Sequence, residues 1–512
     1  GGVSFATHQG LFLYDLEKEN YKITPKGIHY LLSYAGQKDY DDLIIPSIYN
    51  GSDSTGHGII DFKSAGLTIN GTKEFRLSDS LGIILYPKNQ AMEIKRSGTY
   101  TFDGQIRVKN YSFYGKKFKI DYDQFTVELQ EIDSIIFTPK ELYRQAKKVY
   151  VGGNIRYPSS GILYLNDPKN KSGKLYLPEY PKLSIPQGTT VYFDTRRPQN
   201  ARFNQNVRFE IPRIQADSMH VKDLTWIGTF HSDGIFKPIQ DTLRVMPDLS
   251  IGFRHNPPPN GLPIYGSNST FVFYEPLQLD AKGLHAQGEL VHLSGNYILN
   301  NADFKVDGLQ SSGRTGIIKE ANLQKTYFPE VLLKEFTLQW KPKTDSLLIA
   351  TKTDLAFYQG STTFSGQLIV RKSGMFGQGK LTRIDSEAKS QEIKFNEKGF
   401  LADKSQFLIK SSTSTDKPVL LGHAVDIDFD VSKQLVQIQG QSQNNFISSE
   451  TSSRLEFPYS AYQTNIKRAV WNINEKKIAL NGPVEETFFM ATNPRKENLS
   501  FSGNQAKLSQ KP

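Results

Sequence analysis

The stretch Val425-Asp426-Ile427-Asp428-Phe429-Asp430-Val431-Ser432-Lys433 decides the fold class. Val425, Ile427, Phe429 and Val431 fall on one side of an extended chain and Asp426, Asp428 and Asp430 on the other, because side chains in a strand alternate between faces. One apolar face and one acidic face predict a half-buried strand, and the Asp-aliphatic-Ser-Lys run after Phe429 predicts a tight polar turn into the next strand. The same short hairpin is written at Tyr14-Asp15-Leu16-Glu17-Lys18 and, one residue longer, at Trp471-Asn472-Ile473-Asn474-Glu475-Lys476. Repetition of one unit of this kind predicts stacking into an extended β architecture.

Alternation continues elsewhere. Phe118, Ile120 and Tyr122 share a face, and the apolar parity then moves to Phe125, Val127 and Leu129, which predicts a bulge or a change of face near Asp123-Gln124. Helix is scarce. The strongest helical signal is Thr138 to Lys148, where Thr138 can cap, Pro139 fits the first helical position and Glu141 completes a capping box. Asn256-Pro257-Pro258-Pro259-Asn260-Gly261 breaks any ladder, since three consecutive residues lack an N–H. Pro238-Ile239-Gln240-Asp241-Thr242-Leu243 is echoed by Pro342-Lys343-Thr344-Asp345-Ser346-Leu347, and Lys282-Gly283-Leu284-His285-Ala286 by Lys398-Gly399-Phe400-Leu401-Ala402. These spacings, roughly 100 to 120 residues, suggest a domain period. The predicted fold is all-β, with consecutive antiparallel sandwich-like or solenoid-like modules over residues 1–137, 138–260, 261–395 and 396–512 and very little helix.

The chain has 512 residues, 38% of them hydrophobic and 12% aromatic, with 40 glycines, which suits a folded, turn-rich β protein rather than a disordered one. It has no cysteine, so disulfides, thiolate metal sites and cysteine catalysis are excluded. Gly1 in place of Met and the stop at Gln510-Lys511-Pro512 read as a segment of a longer or processed protein. No apolar run approaches the roughly 18 residues of a membrane-spanning helix. The net charge of +10 suits a phosphate-bearing or acidic partner. Arg107, Lys109, Lys116, Lys117 and Lys119, interleaved with Tyr111, Phe113, Tyr114 and Phe118, form the most suggestive basic face. Aromatics and cations together can bind single strands or glycans, and equally they can be the two faces of strands, aromatic inward and Lys outward.

Catalytic signatures are incomplete. Gly374-Met375-Phe376-Gly377-Gln378-Gly379-Lys380 begins like a phosphate-binding loop, but Leu381 stands where a Mg²⁺-binding hydroxyl is needed, so a glycine-rich turn after Leu368-Ile369-Val370 is the structural reading. Asp426, Asp428 and Asp430 are conceivable calcium or glycosidase carboxylates, or a solvated strand face. The nine histidines are scattered without the helical zinc-hydrolase spacing, and no serine nucleophile elbow occurs. His285 and His292, on opposite sides of an alternating segment, read as turn or surface residues. These observations predict no catalytic residue, no metal and no cofactor.

Asp followed by Ser or Thr and an aliphatic or Met recurs at Asp79-Ser80-Leu81, Asp133-Ser134-Ile135, Asp217-Ser218-Met219, Asp241-Thr242-Leu243 and Asp345-Ser346-Leu347. Such triplets can launch strands, because short polar side chains bond nearby backbone. They also resemble the O-glycosylation signal of proteins exported in Bacteroidota, with Ser80, Ser134, Ser218, Thr242 and Ser346 as the acceptors. Together with the cysteine-free β composition and the aromatic-Asp/Asn-aliphatic-Lys hairpins, they resemble the large periplasmic or outer-membrane β proteins of that group, in particular the plug subunit of the type 9 secretion translocon. The resemblance implies a non-enzymatic subunit in the periplasm, associated with the outer membrane. Its partners would be an outer-membrane β-barrel and other complex subunits, without nucleic acid, and its task would be to occlude the periplasmic side of a channel. The same hairpins resemble bridge proteins that carry lipopolysaccharide or phospholipid in an open apolar trough. A surface glycan-binding or glycan-cleaving protein is the third reading. The inner face discriminates: a trough for lipid, a packed core for a plug, and a cleft with facing acids for an enzyme.

Overall fold

The computed structural model describes residues 2–39, 43–49, 56–109, 111–137, 149–151, 155–156, 161–193, 203–216, 225–248, 250–411, 417–440, 453–482, 487–493, 495, 499–503 and 505–509. Strand makes up 59% of the chain and helix 5%, so the protein is all-β. The helix expected over Thr138–Lys148 lies outside the described residues. Helices form instead at Gly2–His8 and Pro25–Tyr34. The second has Pro25 in its first turn and Thr24 as its cap, with the Thr24 hydroxyl accepting from the Gly27 N–H at 3.0 Å.

The chain groups into two compact units, residues 1–233, 237–255 and 278–283 in the first and 234–236, 256–277 and 284–512 in the second. The four expected modules are finer than this division. Their boundary at 260/261 falls in the turn closed by the Gly261 N–H on the Pro258 carbonyl, between the strands Ile251–His255 and Leu262–Pro263. The boundary at 395/396 instead falls in the turn between Ser386–Phe395 and Gly399–Ile409, two strands in register with each other.

Among the described residues, five hairpins share one turn. An Asp or Asn ends the first strand and stands opposite the residue that opens the second: Asp15 and Asn20, Asp61 and Gly66, Asp121 and Thr126, Asp430 and Leu435, Asn472 and Lys477. Its side-chain oxygen accepts a loop N–H, from Lys18, Lys63, Gln124, Lys433 and Glu475 respectively. The last loop residue takes positive φ: Glu19, Ala65, Phe125, Gln434 and Lys476, all between 48° and 55°. The Trp471 hairpin is therefore no longer than the others, since only its lysine sits one place later. The parity change near Asp123-Gln124 is not a bulge in a strand but this same turn, because the strand ends at Asp121.

The true parity slips lie inside the long strands. In Tyr111–Asp121 the buried positions run Tyr111, Phe113, Gly115 and then Phe118, Ile120. In Val331–Lys341 they run Val331, Leu333 and then Phe336, Leu338, Trp340. Gly399–Ile409 switches between Ala402 and Ser405, and Leu420–Asp430 between Gly422 and Val425. One extra residue at each slip adopts positive φ: Lys117, Glu335, Lys404 and Ala424. An extra residue bends a strand and re-aims the residues beyond it, so both arms of the strand turn their apolar side chains to one interior. Glycines complete the bend where Gly366 and Gly379 stand opposite each other. A Cβ on Gly379 would lie 2.2 Å from the Ser365 carbonyl oxygen, so no larger residue fits.

In the second unit these bent strands form a meander in which almost every strand pairs with its neighbour in sequence. Residues of one arm pack on residues of the other. Phe357 stacks on Phe395 with centroids 4.2 Å apart, Phe364 meets Phe395 edge-on at 5.6 Å, and Phe407 approaches Trp471 at 6.4 Å. Structural positions in this unit recur roughly 90 residues on. Tyr265 corresponds to Tyr358, Ser269 to Thr362, His292 to Arg383, Phe304 to Phe395, Glu335 to Ala424 and Trp340 to Phe429. The expected longer period is thereby corrected. Pro238 leads into a strand whereas Pro342 opens a short 3₁₀ turn, and Gly283 and Gly399 each simply begin a long strand after a turn.

Candidate functional site

The most elaborate polar chemistry of the second unit seals the seam where turns at opposite strand ends meet. Tyr265 and Tyr358 both have positive φ, and each sends its hydroxyl across to a hairpin on the other arm. Tyr265 donates to the Lys305 carbonyl at 2.9 Å, and Tyr358 donates to the carbonyls of Gly399 and Asn396. Burial raises both phenol pKa values above the ordinary range, which keeps them donors.

Beside Tyr265, His292 is 4% exposed. Its Nδ1 lies 2.6 Å from the Ser269 hydroxyl, and its ring rests on Trp340 at 4.8 Å. Its Nε2 and the Trp340 Nε1 are buried without a hydrogen-bond partner among the described residues. Desolvation lowers the imidazole pKa to about 4, so it is neutral at pH 7. His292 is thus a core residue rather than the expected turn or surface residue, because the strand Gly283–His292 turns it inward. In the following copy Arg383 fills the corresponding seat, 8% exposed, donating to the Thr362 hydroxyl at 2.9 Å, close to Asp385 at 3.4 Å and over the Phe429 ring at 4.8 Å. Of the two residues that fill this seat only His292 stood out in the sequence, from its place in an alternating segment rather than from a motif. The signal available in the sequence was the pair Tyr265-Gly266 and Tyr358-Gln359-Gly360, each followed closely by Ser269 or Thr362.

The expected basic face belongs to the first unit and is ion-paired at Lys117 and Lys119. Tyr111, Phe113 and Phe118 point inward and Lys116, Lys117 and Lys119 outward. Lys117 Nζ donates to Glu131, which raises its pKa, and its backbone N–H donates to Asp103 at 2.9 Å. Lys119 pairs with Glu128 at 3.3 Å, Lys109 donates to the Tyr180 carbonyl at 2.9 Å, and Arg107 lies over Tyr86 at 5.8 Å. Lys116 is exposed. A groove of about 490 Å³ beside Lys117 and Lys119 also contains Glu93 and Asp103, so the surface is mixed in charge.

The glycosylation-like residues divide. Ser80 is exposed and donates to the Ser172 carbonyl. Thr242 is half-buried, and its N–H donates to Asp241 at 2.6 Å. Ser346 is 5% exposed, donates to the Thr344 carbonyl and accepts from Arg371, so it is no acceptor for a glycan in the folded protein. It follows Asp345, which has φ of 46°, and opens the strand Ser346–Thr351, which is the strand-launching turn. Ser134 lies in the strand Glu131–Phe137, opposite Tyr114. Ser218 lies outside the described residues.

Gly374 to Lys380 is neither a phosphate loop nor a turn. It lies within the strand Gly374–Thr382, and the turn preceding it is Lys372-Ser373. Asp426 accepts the Lys404 N–H at 2.8 Å, Asp430 caps its own turn, and Asp428 is exposed. Desolvation, Asp426 and Glu392 raise the neighbouring Asp403 pKa. Histidines pair singly with acids, His255 with Asp241 at 2.7 Å, His231 with Glu210 at 3.2 Å and His423 with Glu456 at 3.3 Å. Among the described residues no group of three or more His, Asp or Glu is arranged to hold a metal ion. Among them, too, no helix is long and apolar enough to cross a membrane. No protein-family model matches the chain, and neither does any curated protein sequence.

Proposed function

We propose that this chain is a non-enzymatic subunit of an outer-membrane protein-secretion complex in the periplasm, comparable to the plug of the type 9 translocon, and that it closes the periplasmic side of a channel by protein contact. The supporting observation is the packed interior of the second unit. At the inward positions of the bent strands, Phe304, Leu309, Phe364, Phe395, Phe407 and Trp471 are each 0–1% exposed. An apolar trough for lipid would leave such positions open to a ligand. A filled core instead gives the rigidity that obstruction requires, and the partners would be a β-barrel and other subunits of the complex. No cofactor enters this reading.

A stable closing contact needs an interface on the order of 1,600 Å². Affinity purification of the native protein is expected to recover a β-barrel partner, and a deletion strain is expected to admit large solutes through its outer membrane. Unchanged permeability together with a monomeric protein carrying bound lipid would overturn the proposal in favour of a lipid bridge.

A further inference from the structure

On the outer face of the second unit, the strands Gly308–Ile318, Val331–Lys341, Ser346–Thr351 and Thr362–Arg371 run side by side under a shallow groove of about 420 Å³. Two rows of side chains cross it. Gln310 stands opposite Gln339, and Gln339 opposite Leu348. Ser312 stands opposite Thr337, Thr337 opposite Ala350, and Ala350 opposite Gln367. Adjacent strands are about 4.8 Å apart, so a ligand laid across them meets a new side chain at each such step.

No residue lining this groove is ionisable. Lys305 touches its rim, where its ammonium is held by the Gln310 amide oxygen at 2.6 Å and by Asp303 at 3.7 Å. The amides of Gln339 and Gln367 and the hydroxyls of Ser312 and Thr337 make no side-chain hydrogen bond to the described residues, so their capacity faces outward. The neutrality is not imposed by the fold. Roughly 90 residues on, the corresponding positions carry Asp403, Asp426 and Asp428 on the same outer face.

We propose that this groove binds a neutral oligosaccharide chain. A phosphate-bearing or charged ligand would surrender hydration over these two rows without meeting a counter-charge among them, and Lys305 at the rim is already paired with Asp303. A peptide adding itself as a strand needs a free sheet edge, and each of the four strands is already paired on both sides. A neutral glycan fits what is present. Its hydroxyls both donate and accept, matching the two donors and one acceptor of each Gln amide, while Leu348 and Ala350 offer apolar surface to the face of a sugar ring.

The test titrates the full chain with cellohexaose, maltohexaose, laminarihexaose and mannohexaose, read by saturation-transfer NMR and calorimetry. At least one is expected to bind saturably. Q339A/Q367A removes two side-chain hydrogen-bonding groups and is expected to weaken that binding about tenfold or more. Q437A/Q439A, on the corresponding rows of the next copy, is expected to leave it unchanged, with melting temperatures confirming that both variants fold. The proposal is overturned if none of the four sugars binds at millimolar concentration, if Q339A/Q367A binds as tightly as the parent, or if only an uncharged Ser/Gln-rich peptide binds.

Discussion

His292 and Arg383 occupy corresponding seats in two successive copies of one structural repeat, yet they solve the burial of a nitrogen base in opposite ways. The imidazole gives up its charge, keeps one hydroxyl partner and leaves Nε2 unpaired against Trp340. The guanidinium gathers Thr362, Ser361, Asp385 and the face of Phe429. The same fold position is therefore conditional on pH where His292 fills it. The difference lies in the number of partners each neighbourhood supplies.

The largest effect expected on this comparison comes from Arg383→Ala. It leaves the half-buried Asp385 carboxylate with the Ser386 hydroxyl alone among the described residues and opens space beneath Phe429, and removing one partner of a buried pair typically costs about 3–5 kcal/mol. Urea denaturation should therefore show a large fall in stability; a loss below about 1 kcal/mol would mean the guanidinium is merely tolerated in its seat.

Acid comes next. The His292 pKa is about 4 when folded, below the ordinary value of 6.5, so the unfolded chain binds the extra proton first as pH falls. Stability is whole above pH 6.5, declines between pH 6.5 and about 4, and is level below that as far as this group is concerned. The span corresponds to about 3 kcal/mol. Tryptophan fluorescence against urea at several pH values reads it. His292→Phe should flatten that step, and an unchanged pH slope in the variant would assign the step elsewhere.

A smaller change is expected for Tyr265→Phe and Tyr358→Phe. Each removes a hydroxyl that reaches across the seam and keeps the ring, so each should cost about 1 kcal/mol. Tyr358 reaches two carbonyls and Tyr265 one, so the second copy should lose more. Equal losses in denaturant midpoints would show that the second contact of Tyr358 carries no weight. The least effect belongs to Asp430→Ala, which removes one turn cap at an exposed hairpin and should cost about 0.5–1 kcal/mol. Hydrogen exchange at Ser432 and Lys433 would detect it where melting does not.

What the sequence made legible was local. Alternation at Val425–Phe429 and the Asp or Asn at each strand end pointed to strands and turns, because those signals lie within a few residues of the geometry they specify. Asp61 and Asp121 build the same turn but escaped a pattern that demanded an aromatic before the acid and a lysine after it. The mid-strand bends were illegible for a different reason. Lys117, Glu335, Lys404 and Ala424 adopt positive φ without being Gly, Asn or Asp, so tertiary packing imposes a backbone that their side chains do not announce. The seam was hidden because its members, Tyr265, His292, Lys305 and Trp340, meet only after the bends have formed. The neutral groove is made of glutamines and small hydroxylic residues that look like any solvated strand face until register sets them in rows.

The meander also bears on how such a chain is made. Because nearly every strand finds its partner in the segment just before it, each new hairpin can dock onto an edge already built, and no distant segment need be awaited. Loops closed over short separations lose little entropy, so assembly can advance steadily from one end as the polypeptide emerges. A protein delivered across a membrane as an unfolded thread would then acquire its structure in the order of its arrival. Only the most recent edge would stand exposed at any moment to unwanted pairing.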